Sequence, residues 1–284
     1  MVIESIVGPI SASRRPWMMI FIGILYSSIG LFLANWVFSE YASIVMVFFT
    51  VLACAPLMYR AIKVEEKFDL TADDEKSMLL HHAKALSFMM YLFVGITIGF
   101  VFWYLILPSD MATASFSIQT DTINRINGYA TGPAVSSFSV FSQILFNNLK
   151  VMIFCILFSL TYGLGAIFIL VWNASVIAAA IGNFIREQMS GYATSLGLAT
   201  IGAYLHVTSF GFLRYAIHGI PEILAYFMAG LAGGIISVAI IRHDFGTKKF
   251  ERIIIDSSDL LILAIVILVI AAGIEAFITP LLFL

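Results

Sequence analysis

Charge is what this sequence has least of. Asp, Glu, Lys and Arg make up only 11% of its 284 residues, against a usual share of about a quarter. Apolar residues make up 61%, more than the core of a soluble domain can absorb. The net charge of −2 leaves no basic tail or patch to attract nucleic acid. Cysteine is scarce as well. Cys54 and Cys155 fall in different apolar runs with no partner at metal-ligand spacing, and they read as free thiols packing as small hydrophobes. No G-x-S-x-G, Walker loop, C-x-x-C or H-E-x-x-H occurs, so soluble-type hydrolase, ATPase and redox readings have nothing to stand on. No cofactor and no resident metal is implied.

What is present is hydrophobic length. Several runs reach the roughly twenty residues that cross a hydrocarbon layer, which makes the chain an all-α, polytopic transmembrane helical bundle. About seven spans are marked by continuous apolarity, near 17–38, 41–60, 86–107, 144–171, 174–190, 220–241 and 260–283. Arg14 and Arg15 precede the first run, which has no small-x-small cleavage site and so reads as an anchor. The charged linker between spans two and three has apolar residues near helical spacing and predicts a short amphipathic helix. Its His81 and His82 point about 100° apart on a helix, which makes them poor joint metal ligands.

Lys and Arg set the orientation. Arg14, Arg15, Arg60, Lys63, Lys67, Lys76 and Lys84 mark the N-terminus and the 60–84 loop, and Arg242, Lys248, Lys249 and Arg252 mark the 242–252 loop. The 108–143 loop carries Arg125 alone. This predicts a cell-membrane protein with a cytoplasmic N-terminus and an external C-terminus. Parity then allows one full crossing between 174 and 217. We expect 174–190 to cross and the glycine-interrupted stretch around 191–219 to be broken or re-entrant, although the reverse assignment satisfies parity equally.

Residues 218–234, "HGIPEILAYFMAGLAGG", follow directly. Gly219 and Pro221 read as a break, with proline suited to the first turn of a new helix and Glu222 placed where a carboxylate complements the helix dipole. Further on, Ala229 and Gly233, and Gly230 and Gly234, are spaced at four and form a small-residue ridge for close helix packing, either within the chain or in a homodimer. "GITIG", residues 95–99, is a second such pair.

With that topology His218, Glu222 and Arg214 fall near the external end of span six. Glu275 lies about nine residues from the end of span seven, roughly 14 Å along a helix. Asn147, Asn148 and Lys150 open span four, and Arg186 and Glu187 close span five on the same side. Charged groups inside a span need partners or water, so they mark a site by default; mutually neutralising pairs that hold the bundle together are the alternative. We expect His218, Glu222, Glu275, Asn147, Asn148 and Arg214 to form one outward-facing polar layer.

The sequence also resembles a known family. "HGIPEILAYFMAGLAGG" is similar to the signature of the stage II sporulation protein M family of integral membrane proteins, and "FNNLK" with "SLTYGLGAIFILVWNA", then "AAGIEAFITP", resemble its other two blocks in the right order. The resemblance covers roughly 85–284 and implies a five-span core with a sizeable loop after its first span. Residues 1–84 would then be an added two-helix hairpin with a charged linker. The family's sporulation member anchors peptidoglycan-degrading proteins in a membrane complex, which implies a non-enzymatic component that assembles other membrane or envelope proteins in the lipid bilayer.

Two other classes compete. A transporter, channel or lipid-moving protein would use the broken segment and the buried acids at a polar site. An intramembrane metal-dependent hydrolase would gather His218, Glu222, His206 and Glu275 around a metal, but the chain lacks the second histidine of H-E-x-x-H.

Overall fold

Lipid offers the backbone no hydrogen-bond partner, so an apolar run must close its own bonds, and it does so as a helix. The computed structural model describes residues 16–69, 75–130, 137–162, 166–190, 198–241 and 246–282, and every regular element among them is helical. In chain order these are α1 (Met18–Val37), a 3-10 turn (Ser39–Tyr41), α2 (Ala42–Asp69), α3 (Glu75–Ile106), α4 (Ser109–Ser115), α5 (Ser117–Ala130), α6 (Ser137–Tyr162), α7 (Ala166–Ser190), α8 (Leu198–Ile241) and α9 (Lys248–Gly273). A π turn (Ile274–Ile278) continues α9 into a last turn, α10 (Thr279–Leu282). Seven helices among the described residues are long and apolar enough to cross a membrane, in line with the expected multi-span bundle.

Three boundaries differ from the sequence reading. First, spans four and five do not divide at 172–173: α6 ends at Tyr162, 163–165 lie outside the described residues, and α7 starts at Ala166. Asn173 sits inside α7 without breaking it because its amide donates to the Ile169 carbonyl at 2.8 Å. Second, the expected break around 191–219 is absent from its described part. Residues 198–219 run unbroken into 220–241 as one helix of 44 residues, with Pro221 inside it; 191–197 lie outside the described residues. A proline withholds only the one N–H that would meet the Ile217 carbonyl, and a full break at membrane depth would expose several such groups. Third, the charged linker forms no separate helix. It is taken into the ends of α2 and α3, with 70–74 outside the described residues, because extending an existing helix avoids the cost of a new nucleus.

At the centre of the bundle stands α8. In its most apolar window 82% of the residues are buried inside the protein, against 17–56% for the other six spans. The glycine ridge explains how. A Cβ placed on Gly230 would stand 2.9 Å from the Ala166 Cβ of α7, and one on Gly233 would stand 2.9 Å from the Ile156 carbonyl oxygen of α6. Gly234 and Ala229 are buried beside them, and Ser237 donates to the Leu160 carbonyl at 2.9 Å. The ridge is occupied inside the chain, so it packs helices of one chain and lends the homodimer no support.

The N-terminal pair is packed into the bundle. Gly95 of α3 would bring a Cβ to 2.7 Å from the Ile20 Cα of α1, and Gly99 to 3.1 Å from the Ile24 Cα. Beyond them Trp103 donates to Ser28 Oγ at 2.8 Å and meets Phe32 edge-on. The loop after α3 folds back: the buried Gln119 of α5 accepts from Ser43 Oγ at 2.6 Å and donates to the Ser43 carbonyl and Ser175 Oγ, tying α2 to α7.

Replacing Gly233 or Gly95 with Leu pushes a side chain into another helix's backbone, which cannot shift cheaply. Each variant is expected to lose about 1–3 kcal/mol, the range of overpacked cores, read as a lower unfolding temperature in detergent. An unchanged temperature for both would mean that these helices do not meet there.

Candidate functional site

Spacing on α8 brings the first group together. Arg214, His218, Glu222 and Tyr226 follow one another at intervals of four, so they rise along one side of the helix. Tyr226 is fully buried, and its hydroxyl donates to Glu222 Oε1 at 2.8 Å, which satisfies a group that would be costly to bury alone. Arg214, two turns before Glu222, lays its guanidinium 5.7 Å from the centroid of the Phe184 ring. This cation–π contact uses its charge away from the acid.

The last span supplies the second group. Thr279 Oγ1 lies 3.3 Å from His218 Nδ1 and donates to the Ile274 carbonyl at 3.2 Å, across the π turn. Helices α8 and α9 are antiparallel neighbours. One turn on from His218 is Glu222 and one turn back from Thr279 is Glu275, so the two carboxyls come level. They interact electrostatically, and Tyr226 feels both charges. Among the described residues Glu275 has no hydrogen-bond or ion-pair partner, and Glu222 has Tyr226 alone.

A third wall comes from α6. Its buried residues Asn148, Met152, Cys155 and Ser159 share one face, and that face packs on α8 where Ser159 sits at Gly230 and Gly233. Asn148 lies three turns before Ser159 on that face. Phe141 stacks on Phe277 of the π turn at 5.9 Å, which holds the same stretch of α6 against the last span. Asn148 is 4% exposed, and its Nδ2 has no hydrogen-bond partner.

The structure therefore brings together His218, Glu222 and Glu275, while Asn148 lies buried on α6. It does not bring in Asn147, which is exposed on α6, because adjacent helical positions diverge by about 100°. Arg186 also stands apart: it donates to the Tyr104 and Leu107 carbonyls at 2.6 and 2.8 Å, closing the end of α3, while the Tyr104 hydroxyl bonds Asn183. Near one end of α7 Ala166 meets Gly230, and towards the other Phe184 meets Gly211; Glu222 falls about midway between Gly211 and Gly230 along α8. Among the described residues no group of three or more His, Cys, Asp and Glu side chains is placed to hold a metal ion.

Thr279 and Tyr226 were missed from sequence, although each lies one helical turn beyond an acid singled out there. The π turn had no signal in composition or hydropathy.

The facing acids sit in the part of the chain that comparison with known families identifies. The family model described as "Stage II sporulation protein M" matches residues 85–280, more than half of the chain. The chain belongs to the stage II sporulation protein M family. No curated protein and no solved structure matches it. The family match takes in α3 from residue 85 through α9 and the π turn, and so contains every residue of the site; α1 and α2 precede it.

Tyr226→Phe is expected to remove the one hydrogen bond to Glu222 seen among the described residues and to cost about 0.5–1.5 kcal/mol, the range for a typical intramolecular hydrogen bond. Combined with Glu222→Met it should cost less than the two single changes added, because both act on one bond. Unfolding in detergent measures all three, and strict additivity would mean that the bond does not form.

Proposed function

We propose that this chain is a non-enzymatic membrane component that assembles or localises partner proteins at the cell membrane. One observation carries the reading within the family. The start of α8 projects beyond the α7 residues that pack against it and presents Ile201, Tyr204 and Leu205, each at least half exposed. At about 1.5 Å per residue a helix of this length spans about 66 Å, twice a hydrocarbon layer, so one end reaches out of the bilayer. An apolar face outside lipid favours cover by another protein.

Native-membrane purification tests this directly. The chain should retain a stoichiometric protein partner, and Leu205→Asp should lose it while leaving the unfolding temperature unchanged. Recovery of the chain alone would overturn the reading.

The orientation proposed with it has a cytoplasmic N-terminus and an external C-terminus, supported by the basic residues of the 60–84 and 242–252 loops. Seven crossings put those two loops on one side and 108–136 on the other. A cysteine at position 118, where Ile118 is exposed, is expected to react with an impermeant thiol reagent added outside, and one at position 73 is not. The native Cys54 and Cys155 are buried, so they leave the signal clean. The reverse pattern would invert the topology.

A transport function is the second reading, and the facing pair of acids within two spans supports it, since ionisable groups inside spans mark ion pathways by default. Reconstituted vesicles that show no flux of any ion would remove it.

A further inference from the structure

Helix α6 is the least covered of the seven spans: in its most apolar window 17% of the residues are buried inside the protein. Its buried face packs on α8 through Ser159. The opposite face carries a polar stripe. Gln143, Asn147 and Lys150 follow one another at intervals of four and three, so they fall within about 60° of each other around the helix, and all three are exposed. Phe154, half exposed, continues the stripe one turn on. Alternate steps of four and three, a repeat of about 3.5 residues, keep one edge of a helix turned to a neighbouring helix along its length.

Lys150 decides what that neighbour must be. The span runs Ser137–Leu160, which sets Lys150 ten residues from its nearer end, about 15 Å along the helix. Phe141 already stacks on Phe277 of the last span, and Lys150 is nine residues, about 13 Å, further along. A lysine side chain does not extend that far, so its ammonium cannot snorkel to the interface. Among the described residues no acid is paired with it. A charge turned outward in the middle of a span is among the costliest groups to leave against lipid, and it calls for a partner.

We propose that this face of α6 docks a transmembrane helix of a partner protein, one that carries an Asp or Glu at the depth of Lys150. The carboxylate neutralises the ammonium, the Gln143 and Asn147 amides donate and accept around the pair, and Phe154 packs beside it. A second copy of the chain fits less well. It enters the membrane in the same orientation, so two-fold pairing on this face sets Lys150 against Lys150 at one depth, and like charges repel strongly where the dielectric is low. A lipid phosphate lies beyond the reach of the side chain. The site rests on the assembly reading and adds to it a contact inside the membrane, separate from the start of α8.

Photocrosslinking in native membranes tests this on the full-length chain. Benzoylphenylalanine in place of Phe154 is expected to capture a protein whose crosslinked peptide, read by mass spectrometry, lies in a transmembrane segment containing Asp or Glu. The same probe in place of Phe21, exposed on α1, should not capture it. Lys150→Glu and Lys150→Leu should each lower the yield by roughly five- to thirtyfold, the effect of a polar contact between membrane helices, and Lys150→Arg should retain it. Changing the partner's acid to Lys should restore the yield with Lys150→Glu. All three Lys150 variants should keep the unfolding transition in detergent, because the exposed side chain holds nothing within the chain. Crosslinks to a second copy, to lipid alone or to a segment without an acid would each overturn the site, as would a yield indifferent to Lys150. The two readings fail separately. A partner lost with Leu205→Asp but never captured from position 154 removes the α6 site alone, while a chain with no partner at either place removes both.

Discussion

Close approach of helix backbones at glycine is the constraint on which this bundle depends. Between helices in lipid there is little hydrophobic gain, because lipid tails are as apolar as leucine, so association draws on dispersion contacts and those need short distances. Gly230 and Gly233 bring α8 against α6 and α7, while Gly95 and Gly99 do the same for α1 and α3. The first pair has the larger effect. By clamping α8 against its neighbours at one end, it fixes the height at which His218 meets Thr279 and Glu222 meets Glu275. The polar residues are brought level by packing two to three turns away from them.

The parts of this architecture written in composition could be read directly. Seven spans, their parity and the buried glycine ridge follow from apolar runs and four-residue spacing, both averages over many residues. The approximate convergence of His218 with Glu222 and Glu275 followed from parity plus distance along each helix. What escaped depends on single backbone events. The stretch from 144 to 190 is apolar almost throughout, so the boundary between α6 and α7 leaves no mark in hydropathy, and Asn173 looked more disruptive than it is because its hydrogen bond to Ile169 could not be foreseen. Gly219 with Pro221 is a strong break signal in water. In a bundle the alternatives to helix are worse, so the helix continues.

That continuation changes what the signature motif means. Read as a helix start, HGIPE would display Glu222 to the dipole of a first turn. Read as helix interior, it sets His218 and Glu222 one turn apart on a rigid rod, each facing its counterpart on the last span. Arg186 shows the opposite case. Its charge suggested membership of the polar layer, yet it serves the carbonyls at the end of α3, a purely architectural use that charge alone does not distinguish.

The π turn at Ile274–Ile278 amounts to one residue more than an α-helix would need over the same rise. Everything after it is rotated by about 100° relative to the path that α9 would otherwise have followed. Thr279 reaches His218 only because of that rotation, and the helix before the turn and the segment after it show different faces to α8. The last span is therefore two helical phases joined by a single extra residue, and Glu275 sits at the joint. A chain one residue shorter there would keep its hydropathy, its length and its charge, and would turn Thr279 away from His218.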